Sequence, residues 1–321
     1  MVMHVADLAA IGELLIDFTP SGVSEQGNPL FECNPGGAPA NVLAALTRLG
    51  GTGAFIGKVG SDSFGRFLSD ILERYGIDKK GLRFDPRVNT TLAFVHLSGT
   101  GDRSFSFYRD PGADMMLALD EVDVDIIRNA EAFHFGSVSM THEPSRTATL
   151  ESARLAREMG KTISYDPNLR PALWSSLEEA KEVITRGLEY ADILKISEDE
   201  LAFLTGETDL EKGAERLAAI YGGRILMVTL GPNGCFFGMD GRYDRLPAYD
   251  VKTIDTTGAG DAFLGGFLYR IRPYFGRLQE LTFEELRSAV DFANAVGSLA
   301  TTKKGAIPAM PTLEEVKTLM K

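Results

Sequence analysis

The chain has 321 residues and 44% hydrophobic content, enough to bury a sizeable core as one large α/β domain or one domain with a small accessory piece. A formal net charge of -12, with no basic cluster to offset it, excludes nucleic acid and acidic membranes as partners, so any anionic ligand must be held locally. Cys33 and Cys235 lie far apart and outside any metal-binding spacing, which argues against a disulfide framework or zinc site and for a cytoplasmic setting. Met1-Val2-Met3-His4 carries no basic region and no apolar run reaches membrane-spanning length, so the expectation is a chain neither exported nor membrane-embedded.

Val5 to Ile11, mostly apolar and closed by Gly12-Glu13, reads as a buried parallel strand. Leu14 to Phe18 resumes an extended pattern, which Pro20, Gly22, Gly27 and Pro29 interrupt before Leu30 to Cys33, so a short pair of strands projects here. Gly36-Gly37-Ala38-Pro39-Ala40-Asn41 leads into Val42, Ala45, Leu46 and Leu49 at helical spacing, a glycine turn that opens a helix. Gly53 to Val59 is predicted as a strand and Phe64 to Tyr75 as a helix, with Gly76 just past its end. Two nucleotide-binding patterns fail: Val59 follows Gly57-Lys58 where a phosphate loop needs Ser or Thr, and Gly51-Thr52-Gly53 precedes a strand instead of following one. Thr90 to Ser98, the turn Gly99-Thr100-Gly101-Asp102, and Ser104 to Arg109 form an alternating hairpin.

From Asp123 the alternation returns, with helix Asp123 to Asn129, strand Ala132 to Val138, helix Pro144 to Met159 and strand Thr162 to Asp166. Helix Leu177 to Tyr190, strand Asp192 to Ile196 and helix Glu211 to Tyr221 follow. Such repeated units predict a mostly parallel sheet covered on both faces. Ile225 to Leu230, the turn Gly231-Pro232-Asn233-Gly234 and Cys235 to Met239 read as an antiparallel pair, and Phe283 to Thr301 as a late helix. The two helix-free pieces, 14–33 and 90–110, are expected to form a small β lid, leaving 1–13, 34–89 and 111–321 as the α/β core.

In Asp255-Thr256-Thr257-Gly258-Ala259-Gly260-Asp261, two glycines flanking an alanine expose backbone N–H groups just before a helix-forming run, a turn suited to an anion. Asp261 sets a carboxylate at the mouth of that positive pocket, where it either caps the helix or does chemistry. Ligands of open α/β sheets sit beyond the carboxyl ends of the strands, and the distinctive polar residues fall at such ends: Asp17, Asn41, Asp166 to Arg170, Gly231 and Gly258 to Asp261. Singly, Asp17 reads as a solvated lid residue, Asn41 as a helix cap, and Asp166-Pro167 and Gly231 to Gly234 as turns. Their joint placement is harder to explain that way. His4, His96, His134 and His142 form no spaced pair, and His134, between Phe133 and Phe135, reads as a packed core residue.

Gly36 to Asn41, with Gly50 and Gly60 downstream, and Asp255 to Asp261, with Gly265-Gly266, resemble the two signatures of the ribokinase-like sugar kinases, also called the phosphofructokinase B family. The match runs in order over nearly the whole chain. Ser104 to Arg109 with Ala113-Asp114, and Asp166 to Arg170 with Trp174, are similar to the fructokinase branch, with ketodeoxygluconate kinases and aminoimidazole riboside kinases as rivals. The resemblance implies a three-layer ribokinase-like fold with a mostly parallel central sheet and a β lid. It also implies ATP-dependent phosphorylation of a sugar hydroxyl, fructose being the leading sugar, and possible pairing of two subunits through the lid.

By the same resemblance, the amides of Gly258, Ala259 and Gly260 take charge developing on the γ-phosphoryl group, and Asp261 accepts the proton of the attacking hydroxyl with an ordinary carboxylate pKa of about 4. Asp17, Gly37 and Asn41 are implied sugar contacts, Phe107 covers the ring and Arg109 reaches it from the lid, although a lid-core aromatic and a surface cation are their alternatives. Arg170 faces the phosphates or pairs with Asp166. For ATP the resemblance implies Lys195, Ser197, Thr229, Gly231, Gly234, Gly260 and Asn294, the last alternatively a satisfied polar helix residue. Mg2+ is implied with Glu200 as a water-mediated organiser, although Ser197 stands where ribokinases carry Asn. A monovalent cation such as K+ is implied through Asp255, Thr257, Ala300, Lys303 and Gly305; Ala309 departs from that pattern, and Leu43 departs from the first signature. Two further readings from other classes are a noncatalytic sugar or nucleotide sensor and a dinucleotide enzyme. The intact Asp261 turn weighs against the first, and the missing glycine fingerprint after the first strand against the second.

Overall fold

The computed structural model describes residues 6–97 and 103–321, so Val5, Ser98 and the turn Gly99-Thr100-Gly101-Asp102 lie outside the described residues. The first half of the chain forms β1 (Ala6–Ile11), β2 (Leu15–Val23), β3 (Pro29–Gly36), α1 (Ala38–Arg48), β4 (Gly53–Gly60), α2 (Ser63–Arg74), β5 (Ile77–Asp85), β6 (Leu92–Leu97) and β7 (Arg103–Tyr108). It continues through α3 (Val124–Arg128), β8 (Ala130–Gly136), α4 (Ser145–Glu158), β9 (Thr162–Asp166), α5 (Leu177–Leu188), β10 (Ile193–Ser197) and α6 (Glu198–Thr205). Last come α7 (Leu210–Ala218), β11 (Ile225–Thr229), β12 (Cys235–Met239), β13 (Arg242–Leu246), α8 (Ala259–Ile271), α9 (Phe283–Ala300) and α10 (Leu313–Leu319).

Among the described residues these strands make two sheets. The larger has the order β13-β12-β11-β10-β9-β8-β1-β4-β5. Every pairing from β5 across to β11 is parallel, and only β12 runs against its neighbours. The inner strands are near-continuous apolar runs because helices cover both faces. Leu43, Leu68, Leu264, Phe267 and Val296 fill the layer under α1, α2, α8 and α9. Ile127, Ala153, Ile184, Leu201 and Leu217 fill the opposite layer under α3 to α7. His134 is buried on β8, its Nδ1 within 3.3 Å of both Ser164 oxygens, and burial pushes its pKa down to about 4, so the core reading holds.

The smaller sheet has the order β3-β2-β6-β7. Its two antiparallel pairs join in parallel through β2 and β6, with Ile16 opposite Leu92 and Phe18 opposite Phe94. Four elements were not anticipated. The edge strands β5 and β13 carry Asp78-Lys79-Lys80 and Arg242-Tyr243-Asp244-Arg245, whose charges suit a half-solvated edge and hide an apolar run. Helix α6 starts at Ser197 with Glu200 as its reciprocal cap, a signature that the metal reading of the same residues masked. Thr312 and Glu315 start α10 in the same way.

Candidate active site

The segments that follow the carboxyl ends of β1, β8 and β9 meet the root of the small sheet and the start of α8, and between them lies a cleft. Asp17, Gly37, Asn41, Phe107, Arg170 and Asp261 all line it, as do Thr257 and Gly258.

Helix α8 begins at the anion-suited turn. Gly258 has φ +73°, and a Cβ there would lie 2.7 Å from that of Ala306, so only glycine fits. No side chain caps the helix, whose first amides face an open position. Ala259 is an exception to the expectation: its N–H donates to Thr256 O at 3.2 Å inside the turn. Asp261 is 8% exposed, and Asn41 Nδ2 donates to its Oδ2 at 2.7 Å. That bond depends on close helix approach, because a Cβ on Gly265 would lie 2.6 Å from both Ala45 Cβ and Val42 O. Residues 41 and 45 share one face of α1 as 261 and 265 share one of α8. Gly266 allows the same closeness to Val296 on α9. Leu43 points elsewhere, over Gly53, so its departure from the signature leaves Asp261 untouched.

The Asp261 carboxyl does not keep an ordinary pKa: burial, reinforced by the Asp166 carboxylate, raises it to about 6 against the opposing pull of Lys195, Asn41 and Arg170. Asp17 is raised to about 7, chiefly by burial and then by Asp261 and Asp255, with Arg170 opposing. Gly36 has no side chain because one would meet Asp17 Oδ2 at 2.1 Å, and Gly37, at φ +118°, because one would meet Glu13 O at 2.3 Å. The paired glycines make room for the carboxylate and main chain of the strand opposite.

Arg170 does not pair with Asp166. Asp166 Oδ2 takes Lys195 Nζ at 2.8 Å, both groups buried, while Arg170 Nη1 bonds the Asn168 and Leu169 carbonyls at the cleft wall. Burial disfavours the Lys195 charge, but Asp166 and Glu200 outweigh it and hold its pKa above the usual value. A Cβ on Gly260 would stand 3.0 Å from Lys195 Nζ, so the ammonium lies beneath the α8 turn. Glu200 accepts the Leu169 and Ser197 amides, each at 2.7 Å, and its pKa is raised by burial and by Asp166. It is first a clamp on the 166–170 loop. Ser197 and Thr229 are register partners at the ends of β10 and β11, next to the Gly231–Gly234 turn. Gly234, at φ +89°, abuts Leu246 O.

Arg109 does not line the cleft. Its Nε and Nη2 reach Asp114 Oδ2 at 2.8 and 2.7 Å, Nη1 donates to Thr141 Oγ1 and Nη2 to Val138 O. Its guanidinium is engaged inside the protein, where it pins the exit of β7 to the core. Asn294 is likewise satisfied, since its Nδ2 donates to Leu246 O and Pro247 O. Asp255 Oδ1 accepts from the Thr257 amide and hydroxyl and Oδ2 from the Gly305 amide, tying the α8 turn to the 302–306 loop. Ala300 is buried nearby, but Lys303 points its ammonium outward to Glu315. No cluster of three metal-ligating side chains occurs among the described residues.

Among the cleft residues that escaped the sequence reading, which include Leu15, Val138 and Leu173, Glu13 is the one with a carboxylate. Glu13 is buried against Ala38 N and lines the same wall as Asp17. The alternation Glu13-x-Leu15-x-Asp17 was the available signal, since all three line the cleft.

The model for pfkB family carbohydrate kinases matches residues 5–313. The chain is 47% identical to Fructokinase-1 of Zea mays over 98% of its own length and 97% of that protein's. It superposes on the fructokinase of Xylella fastidiosa with bound ATP at a TM-score of 0.90, with 35% identity and 98% coverage of both chains. The Vibrio cholerae fructokinase double mutant bound to fructose, ADP and potassium matches at a TM-score of 0.88, with 35% identity and 99% coverage of both. Full-length similarity, the fold and the paired glycine turns agree: the chain belongs to the pfkB family of carbohydrate kinases.

Proposed function

We propose that this kinase transfers the γ-phosphoryl group of ATP to a hydroxyl of fructose. The observation that carries the reading is the buried Asp261 carboxylate beside the uncapped start of α8, held toward the cleft by Asn41. Asp17, Gly37, Asn41 and Phe107 hold the sugar, and Lys195, Ser197, Thr229, Gly231 and Gly234 lie on the nucleotide side. Asp261 takes the proton of the attacking hydroxyl as its oxygen bonds the γ-phosphorus and the bond from that phosphorus to the bridging oxygen breaks, leaving ADP. The Gly258 and Gly260 amides and Arg170 meet the charge carried by the moving group.

Asp166 and Glu200 put two buried carboxylates against one ammonium, a surplus of hard oxygen donors that fits a water-mediated Mg2+. When bound, the ion neutralises phosphate charge. K+ would be held at the loops that Asp255 joins, where the Thr257 turn meets Gly305. The lid exposes Phe31 and Tyr108, both packed on Phe94, an apolar surface for a second copy of the chain. The free Cys33 and Cys235 suit the cytoplasm. No helix among the described residues is long and apolar enough to cross a membrane.

The test is ADP release measured across fructose, ketodeoxygluconate, ribose, adenosine and aminoimidazole riboside, in K+ and in Na+. Fructose is expected to give the highest kcat/KM. Turnover of none would end the kinase reading, and preference for another sugar would end the fructose assignment.

A further inference from the structure

Glu13 stands where the chain leaves β1 for the lid, on the same cleft wall as Asp17 and Asn41. It is 3% exposed. Oε1 accepts the Ala38 N–H at 2.8 Å, the first amide of α1. Oε2 is buried with no hydrogen-bond partner, and so is Asn41 Oδ1 on the adjoining helix. Buried acceptors of this kind are rarely left unpaired without a functional reason. Burial pushes the Glu13 pKa to about 7 against the pull of its own backbone amide and that of Ala38; Asp114 adds to the rise and Arg109 opposes it. The protein thus supplies Oε1 with a helix amide and leaves Oε2 without a hydrogen-bond partner.

We propose that Glu13 Oε2 accepts a hydrogen bond from a non-reacting hydroxyl of the bound sugar, with Asn41 Oδ1 accepting from a second, so that Glu13 determines sugar specificity and does not merely cap α1. The inference rests on the carbohydrate-kinase reading of the cleft. The chemistry of the wall selects the ligand class. Glu13, Asp17 and Asp261 together repel a phosphate, and an apolar ligand would leave their oxygens bare. A polyol brings several O–H donors at neighbouring positions and meets both orphaned acceptors at once. The labour is divided: Asp261 faces the hydroxyl that attacks, and Glu13 reads one that does not.

The test is Glu13→Gln. Glutamine keeps an oxygen for the Ala38 amide but replaces Oε2 with a donor, so a sugar hydroxyl there meets no acceptor. Sugar affinity by calorimetry and steady-state kinetics are measured for wild type and E13Q, on fructose and its monodeoxy analogues, or on whichever sugar of the panel the wild type phosphorylates. The expected result is a rise of about 10- to 100-fold in sugar Kd and KM with the KM for ATP unchanged and a Tm no lower than that of the wild type. One monodeoxy analogue should bind wild type weakly by that factor, yet bind E13Q as well as the parent sugar does. Glu13→Met, which fills the space without an acceptor, should show the same loss and also a lower Tm from the missing cap. Wild-type sugar affinity in either variant overturns the inference and leaves Glu13 a cap. Absence of any sugar turnover by the wild type overturns the kinase reading instead, and the inference with it, so the two failures are read in separate arms.

Discussion

Asp261→Asn separates the catalytic from the structural account of the α8 turn, because the two move stability in opposite directions. The carboxyl is raised from an ordinary value of 3.8 to about 6, with burial the largest cause. An acid whose pKa is higher in the folded state destabilises that state once it ionises: the penalty is absent below about pH 4, grows as pH rises through the window to 6 and is constant above it. The rise of about two pH units corresponds to about 3 kcal/mol as an upper figure. Asparagine carries no charge and still offers an oxygen to Asn41 Nδ2, so the variant should be more stable at pH 8 by up to that amount. With an unfolding entropy of about 2.1 cal/mol/K per residue, the gain is about 4 °C in Tm. Turnover should fall by a factor on the order of 10² or more, since no group remains to take the hydroxyl proton, while sugar and ATP still bind. Calorimetric Tm at pH 4 and pH 8 and coupled ADP release check both halves. A lower Tm at pH 8 with turnover largely retained would refute the reasoning and return Asp261 to a helix cap.

The kcat/KM for sugar should decline as pH falls through 7 and then 6, where Asp17 and Asp261 take up protons, and a profile flat from pH 8 to 5 would contradict these assignments. Arg109→Ala leaves Asp114 buried without its cation and should lower stability by about 3–5 kcal/mol in urea unfolding, far more than the loss of a lid-surface arginine. Gly265→Ala should push α1 from α8 and lower kcat about tenfold with little change in ATP binding, because the Asn41–Asp261 bond depends on that closeness. An unchanged kcat would show that the helix spacing is not what aims the base.

Much of this was legible in the residues. The apolar strands β1, β4, β9 and β11 and the helices α2, α4, α5 and α9 follow from periodicity and caps, within a few residues at each end. Edge strands β5 and β13 were hidden because solvated edges mix charge into the pattern. The glycine turns announced an anion and a close approach, yet what each glycine makes room for, Asp17 Oδ2 or the Ala45 methyl, is a three-dimensional fact. Arg109 shows the limit most plainly. Its position on a lid strand suggested a sugar contact, but Asp114, five residues on, claims it, and nothing in one dimension decides which of two oxygens a guanidinium meets. Lys195 and Asp166 are similarly 29 positions apart and become partners only because β9 and β10 are neighbours.

Leu15 and Asp17 face the cleft by alternating along β2, and Glu13, on the connection that leads into it, lines the same wall. Adding or removing one residue between Leu15 and Asp17 would turn Ile16 and Phe18 toward the cleft in their place and take Ile16 out of the core it shares with Leu43 and Leu264. The exposed tip around 24–28 carries no such constraint and should accept length changes. The span from Glu13 to Asp17 therefore acts as a ruler: its length in residues encodes the site as strictly as the carboxylates at its two ends.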